Sequence, residues 1–568
     1  MQSLSRRDFL KSTALSAVVA GGLAHAQEAP RRKPNVLLIL TDDQGYGDLG
    51  CLGNPHLKTP NIDALYAQST RLTQYHNCPV CAPTRASLMT GRYNYRTCAI
   101  DTYRGRAMMH PDEVTLAEML VGAGYRTGIF GKWHLGDCFP MRAMDKGFQE
   151  SLVIRGGGLM QPSDPPGSGG YFNPILSNNG SLEPHSGYCT DIFADAAIRF
   201  IESHANEPFF CYFPTNAPHT PLLVDDKYVA PYTAMGLPES IAKMYGMIAN
   251  LDENVGRLLQ TLDRLQIADN TIVVFMTDNG AQTGGEKDRF NAHMRGAKGT
   301  VYQGGIRVPC FIRYPKELTA GRDIDRVAAH IDIAPTLLDA CDVHSPNTVK
   351  FDGKSLWALL TGSSTESGWQ DRTLFFQWHR GDVPEPYNNC AVRTQQYKLV
   401  NGVELYDLSA DPGEERDIAS EHNEQVAQMR RDYEAWLQDV SSTRGYAPPR
   451  IVVGDPHANP VYLTLQDQRS GEAPAGPNGG FWSIEVTVKG NYAAKLVFSG
   501  EDVRDPPEPW EAHLVIGGVH VRQPLRDSKT DCEFRPISLP SGPASLRAWI
   551  ESKGIPRTAR YVDLSLIS

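Results

Sequence analysis

Two short apolar runs do most to limit what this chain can fold into. Residues 36–40, all Val, Leu or Ile, end at Thr41, Asp42 and Asp43 and then a glycine-rich loop; residues 271–276 end in the same way at Thr277, Asp278, Asn279 and Gly280. Such runs fit strands buried on both faces of a parallel sheet, with polar residues at their carboxyl ends. Residues 126–130 and 208–213 are two more strand candidates, and helical patterns lie between the runs at 61–69, 114–123, 191–204 and 238–265. Strands alternating with helices predict a doubly wound α/β domain. Ligands of such sheets sit beyond the carboxyl ends of the strands, where both polar pairs fall.

A chain of 568 residues is too long for one ordinary core, so two or three domains are expected. From about Asp371 the pattern changes to short strands at 373–377 and 397–400 and a helix at 424–440, a small α+β subdomain. Residues 442–449 read as a linker. Beyond it Trp482, Ile484, Val486 and Val488 alternate with polar neighbours, and 514–521 reads as a hairpin turning at Gly517 and Gly518. The C-terminal stretch is therefore expected to be a β-sandwich of accessory type, with Trp482 and Trp510 in its core rather than on a glycan. A net charge of −10 leaves no electrostatic footprint for nucleic acid.

At the N-terminus Ser5, Arg6, Arg7, Asp8, Phe9, Leu10 and Lys11 look like a twin-arginine signal. An apolar stretch at 12–23 follows, then Ala24, His25 and Ala26 in a small-x-small cleavage pattern. The stretch is too short to span a bilayer. Residues 1–26 are thus expected to be a signal peptide read by the twin-arginine translocase, giving a periplasmic or extracellular protein without stable membrane insertion.

Eleven cysteines are scattered along the chain, and an odd number in an exported protein leaves one for another task. Cys81 stands two residues before Pro83, which suits the first turn of a helix that Gly91 can end. That puts Cys81 at a helix N-terminus favouring an anion, with Arg85 one turn on. Cys78 and Cys81 have C-x-x-C spacing, yet no second pair accompanies them. A thiolate phosphatase would want Arg six residues after the cysteine, where Ser87 stands. A plain buried cysteine is the remaining reading.

The string Cys81-Ala-Pro83-Thr-Arg85, followed by Thr90 and Gly91, resembles the sulfatase signature C-x-P-x-R…T-G. Residues 124–134, ending in Gly131, Lys132 and His134, resemble that family's second signature. The blocks around His219 and Lys298, and 405–414, resemble further ones in family order. The resemblance runs from about Asn35 to Val440. It implies an alkaline-phosphatase-like doubly wound mixed sheet flanked by helices over 33–370 and the small subdomain over 371–441; the additional sandwich, expected over 455–568 from its strand pattern, lies outside the resemblance.

Asp42, Asp43, Asp278 and Asn279 offer only oxygen, which suits Ca²⁺ or Mg²⁺ rather than zinc, although either pair alone can simply make a turn. With Cys81 they match the sulfatase calcium site. The resemblance further implies that a formylglycine-generating maturase oxidises Cys81, and that the hydrated aldehyde attacks the sulfur of a sulfated small molecule or glycan. Lys132, Lys298, Arg85 and the metal would surround the sulfuryl oxygens, His219 would protonate the leaving oxygen, alone or with Lys298, and His134 would deprotonate the second hydroxyl. Phosphonate and phosphodiester hydrolases resemble this family but typically carry His at the position of Asn279, so sulfate esters are the first expectation and phosphonate monoesters or phosphodiesters the alternative. Arg307 is expected to be structural, with Asp137 and Arg142 as substrate contacts of lesser weight.

Overall fold

Both apolar runs are buried because helices cover both faces of the sheet to which they belong. The computed structural model describes residues 33–282, 289–363, 368–470, 480–498, 510–525 and 530–568; the expected signal, 1–26, lies outside them. The main sheet has ten strands: β1 (Asn35–Thr41), β2 (Thr70–Leu72), β3 (Arg126–Lys132), β4 (Glu150–Ile154), β5 (Ile175–Asn178), β6 (Ser181–Pro184), β7 (Phe209–Pro214), β8 (Thr271–Thr277), β9 (Cys310–Arg313) and β10 (Asp323–Ile324). They lie in the order β10-β2-β9-β8-β1-β7-β3-β4-β5-β6. The central five, β8, β1, β7, β3 and β4, are parallel, whereas β9 and β5 flank them antiparallel.

Alternate residues of β1 explain the continuous apolar run. Val36, Leu38 and Leu40 pack into one core with α2 (Cys81–Thr90) and α3 (Leu116–Gly122). Leu37 and Ile39 pack into another with α1 (Pro60–Ala67), α4 (Cys189–Ser203) and α5 (Glu239–Arg264). The expected helices are all present, within two residues of their expected limits. Helix α3 starts where Thr115 and Glu118 form a reciprocal capping box.

Register brings the two polar pairs together. Thr41 at the end of β1 pairs with Thr277 at the end of β8, so Asp42-Asp43 and Asp278-Asn279 leave the sheet side by side.

Strands Leu374–Gln377, Cys390–Arg393, Tyr397–Val400 and Glu404–Asp407 form an antiparallel sheet. The helix Asn423–Ser441 lays Met429, Tyr433 and Trp436 against it. In the C-terminal stretch a seven-stranded and a four-stranded sheet share one core. Strands Glu511–Ile516 and Val519–Pro524 form the expected hairpin, with Gly517 and Gly518 both at positive φ. Trp482 and Trp510 are buried in that core, which also takes in Met108, Cys138 and Met141 from the α/β part. No helix among the described residues is long and apolar enough to cross a membrane. The parity argument for Cys81 fails: none of the eleven cysteines is in a disulfide.

Candidate active site

Cys81 is the first residue of α2, after Val80 in extended conformation, and Gly91 ends the helix with φ +67°. A side chain at Gly91 would collide with Phe351. The whole helix is buried, so the free N–H groups of its first turn face the protein interior around Cys81.

The polar pairs converge on this point. Asp43 adopts φ +64°, and its N–H donates to Asp278 Oδ1 at 3.1 Å. Asn279 Nδ2 donates to Asp43 Oδ1 at 2.8 Å. Donor atoms of Asp42, Asp43 and Cys81 lie within 4.8 Å of one another. Asp42 Oδ1 and Asn279 Oδ1 are buried with no hydrogen-bond partner. Three buried carboxylates with two orphaned oxygens form a donor set that fits a hard cation.

Three cations brace the acids, and a histidine lies beside them. Lys132 Nζ donates to Asp42 Oδ2 at 2.7 Å and Lys298 Nζ to Asp43 Oδ2 at 2.6 Å. Arg85 donates to Asp278 Oδ2 at 2.8 Å and to the Lys132 carbonyl at 2.9 Å. His219 Nε2 lies 3.5 Å from Asp43 Oδ2. Burial would raise the Asp43 carboxyl, but Lys298, His219 and Lys132 outweigh it and hold the group low. Burial and the neighbouring Asp42 push Asp278 up to about 7. Burial raises the Cys81 thiol to about 12 despite Lys132 and Lys298, so the encoded side chain stays a thiol at neutral pH and is a poor nucleophile.

The two histidines have defined free nitrogens. His134 Nε2 bonds the Thr102 carbonyl at 2.8 Å, and its buried Nδ1 has no partner; with Nε2 as donor, Nδ1 is the acceptor. Burial, then the nearby Lys132, holds His134 well below the usual range. His219 Nδ1 bonds the Thr220 carbonyl at 2.6 Å. Burial lowers His219 to about 4, against the pull of Asp43.

Cys81, His134, His219 and Lys298 line one cleft of about 670 Å³. Arg85 and Lys132 do not reach it; they stand behind the carboxylates they bond. Asp137 accepts from the Gly156 N–H and Arg142 pairs with Asp145, both beside a separate hollow rather than this cleft. Arg307 donates to the Thr73 carbonyl, a structural bond. Sequence reasoning missed the cleft's outer wall, where Tyr103, Arg104, Trp378 and Arg380 meet Gln466 and Arg469. Those residues follow no spacing or motif, and the last two come from beyond the small subdomain.

Residues 34–343 match the family model described as Sulfatase, and 293–442 match N-sulphoglucosamine sulphohydrolase, C-terminal. The chain is 32% identical to human arylsulfatase A, over 70% of this chain and 80% of that one. It is 29% identical to the N-acetylgalactosamine-6-O-sulfatase of Bacteroides thetaiotaomicron, over 70% and 92%. The crystal structure of Ps i-CgsB with k-i-k-neocarrahexaose superposes with a TM-score of 0.66 at 28% identity, covering 73% of this chain and 95% of that one. The fold is that of the α/β alkaline-phosphatase-like enzymes. The chain belongs to the sulfatase family and is a sulfuric ester hydrolase.

Proposed function

We propose that the protein removes sulfate from a sulfated carbohydrate, using formylglycine made from Cys81 beside a bound Ca²⁺. The observation that carries this reading is the position of Cys81: first residue of α2, on the cleft, and within 4.8 Å of Asp42 and Asp43. A sugar substrate is favoured by the k-i-k-neocarrahexaose bound to Ps i-CgsB and by the named activity of the Bacteroides relative. Aryl sulfates fit the same chemistry.

Asp42, Asp43, Asp278 and Asn279 would hold Ca²⁺, or Mg²⁺ in its place, together with the side chain at position 81. The cation supplies charge that acidifies the attacking hydroxyl. Formylglycine, once hydrated, supplies two hydroxyls, one to attack sulfur and one whose deprotonation expels sulfate as the aldehyde re-forms. Lys298 keeps its charge because Asp43 outweighs the effect of burial, and it faces the sulfuryl oxygens. Lys132 and Arg85 hold Asp42 and Asp278 in place. His134 Nδ1 accepts the proton of the second hydroxyl. His219 Nε2 serves the leaving oxygen, and the negative charge of a bound ester opposes the lowering by burial and favours the protonated ring.

Residues 1–26 would direct export through the twin-arginine translocase. Because that route usually carries folded proteins, a cytoplasmic maturase would act before folding buries Cys81. We take 33–370, 371–441 and 455–568 as the three folded parts.

Intact-mass measurement on protein from its native host tests the core of this reading. The expected product has lost one sulfur and two hydrogens and gained one oxygen, and Cys81→Ser abolishes turnover of a chromogenic sulfate. An active protein with an unmodified thiol defeats the reading, and faster turnover of the matching phosphodiester overturns the choice of ester.

A further inference from the structure

The cleft has two unlike ends. At the inner end lie Cys81, His134, His219 and Lys298; at the outer end lie Tyr103, Arg104, Trp378, Arg380 and Arg469. No carboxylate lines the cleft among the described residues.

The outer wall is built rather than incidental. Residues 465–470 come from the C-terminal β-rich stretch and lie outside both family matches. They dock on the loop 102–106: the Gly105 N–H donates to the Gln466 carbonyl at 2.9 Å, and Arg469 donates to the Arg104 carbonyl at 2.9 Å. Gly105 is at φ +69°, and a side chain there would lie 3.0 Å from both Arg469 Cδ and the Asp467 carbonyl. Gln466 Nε2 bonds the same Thr102 carbonyl that holds His134, tying this wall to the reacting end.

Charge in the wall is positive and fixed. Buried Asp101 accepts from Trp378 Nε1 at 3.0 Å and from Arg380 at 2.9 Å. Arg380 also lies over the rings of Tyr103 and Trp378, at 4.4 and 5.1 Å. Arg469 pairs with Asp382 at 2.6 Å, and Arg104 bonds the Ser470 hydroxyl at 2.8 Å. With Arg106, which lies 4.0 Å from Asp101 and 3.6 Å from Asp382, four guanidinium groups face two carboxylates. Guanidinium forks bind carboxylate and sulfate oxygens in pairs, and aromatic faces accept the apolar face of a sugar ring.

We propose that Arg104, Arg380 and Arg469, with Tyr103 and Trp378, form a subsite for a second anionic group of the substrate, a carboxylate or a further sulfate on the sugar. The C-terminal stretch thereby acts as a selectivity element. The proposal rests on the reading of the Cys81 end as the sulfate-ester site, but its test does not require turnover.

Full-length Cys81→Ser protein is titrated calorimetrically with matched sulfated sugars: a monosulfated N-acetylhexosamine, the same residue in a uronate-bearing disaccharide, and its disulfated form. The expected result is that at least one dianionic sugar binds about tenfold more tightly than the monoanion. Tighter binding of the uronate names a carboxylate as the second group; tighter binding of the disulfated sugar names a sulfate. Arg469→Ala should bring that Kd to the monoanion's value while the Kd of the monoanion stays within about threefold. Because Arg469 also braces the loop, half-exposed Arg380→Gln, which makes no bond to that loop's backbone, provides a second variant with the same expectation. Equal affinity for all three sugars, or equal weakening for one and two charges in both variants, overturns the subsite. Failure of the sulfatase reading would show instead as a wild-type protein that binds dianions but cleaves no sulfate ester.

Discussion

Gly157 lies so close to the imidazole of His134 that a Cβ there would fall 2.8 Å from both Cε1 and Nε2. The ring has no room to retreat, since its Nε2 is held on the Thr102 carbonyl. Gly157→Ala should therefore push the ring off that carbonyl and misdirect Nδ1. We expect kcat to fall by about 10²-fold with little change in melting temperature, measured by steady-state kinetics and calorimetry. An unchanged kcat would remove His134 from the proposed proton transfer.

The role given to His219 predicts a dependence on the leaving group. A proton donor matters most when the departing oxygen is strongly basic. His219→Ala should lower kcat/KM about 10²-fold for a sugar sulfate, but much less for a nitrophenyl sulfate. Equal losses on both would point to positioning alone.

Three buried carboxylates and the orphaned oxygens of Asp42 and Asn279 predict a metal requirement. Dialysis against a calcium chelator should abolish turnover and lower the melting temperature, and both should return with Ca²⁺. Mg²⁺ should restore less, because near-octahedral geometry suits this set of buried carboxylates poorly. A metal-free protein of full activity and unchanged melting temperature would exclude the site.

His330 predicts a stability effect away from the cleft. It is buried against Cys78, with Nε2 3.2 Å from the sulfur, and stacks on Phe376. Burial lowers its pKa from 6.5 to about 4, although Asp332 pulls the other way. Between those values the unfolded chain binds a proton that the folded chain refuses, so the contribution is full above about pH 6.5 and is lost as pH falls to 4. Urea unfolding at pH 7.5 and 4.5 should show wild type losing roughly 3 kcal/mol more than His330→Gln. Equal losses would mean that His330 titrates normally in the fold.

The chain's own text carried the central strands, the long helices and the inner end of the site. Runs such as 36–40 and 271–276 show in sequence because residues buried on both faces must all be apolar. The flanking strands β2, β9 and β10, only two to four residues long, have no room for a periodic pattern. The convergence of Asp42 with Asp278 follows from the register of β1 on β8, which a sequence suggests only through the matching strand ends. That Lys132 and Arg85 would stand behind the acids and not on the cleft depends on side-chain direction, and the wall from Gln466 to Ser470 depends on how a distant stretch docks. Neither leaves a local mark.

The docking of Gln466 beside His134 has a consequence in time. Gln466 is made 385 residues after Cys81, an interval of roughly 20 to 80 s at ribosomal speeds. Throughout it the nascent chain displays position 81 while the wall that closes over it does not yet exist. Synthesis order would thus give the proposed maturase its opportunity before the cleft can be completed, and slowing translation should then raise the fraction of molecules that carry the modified residue.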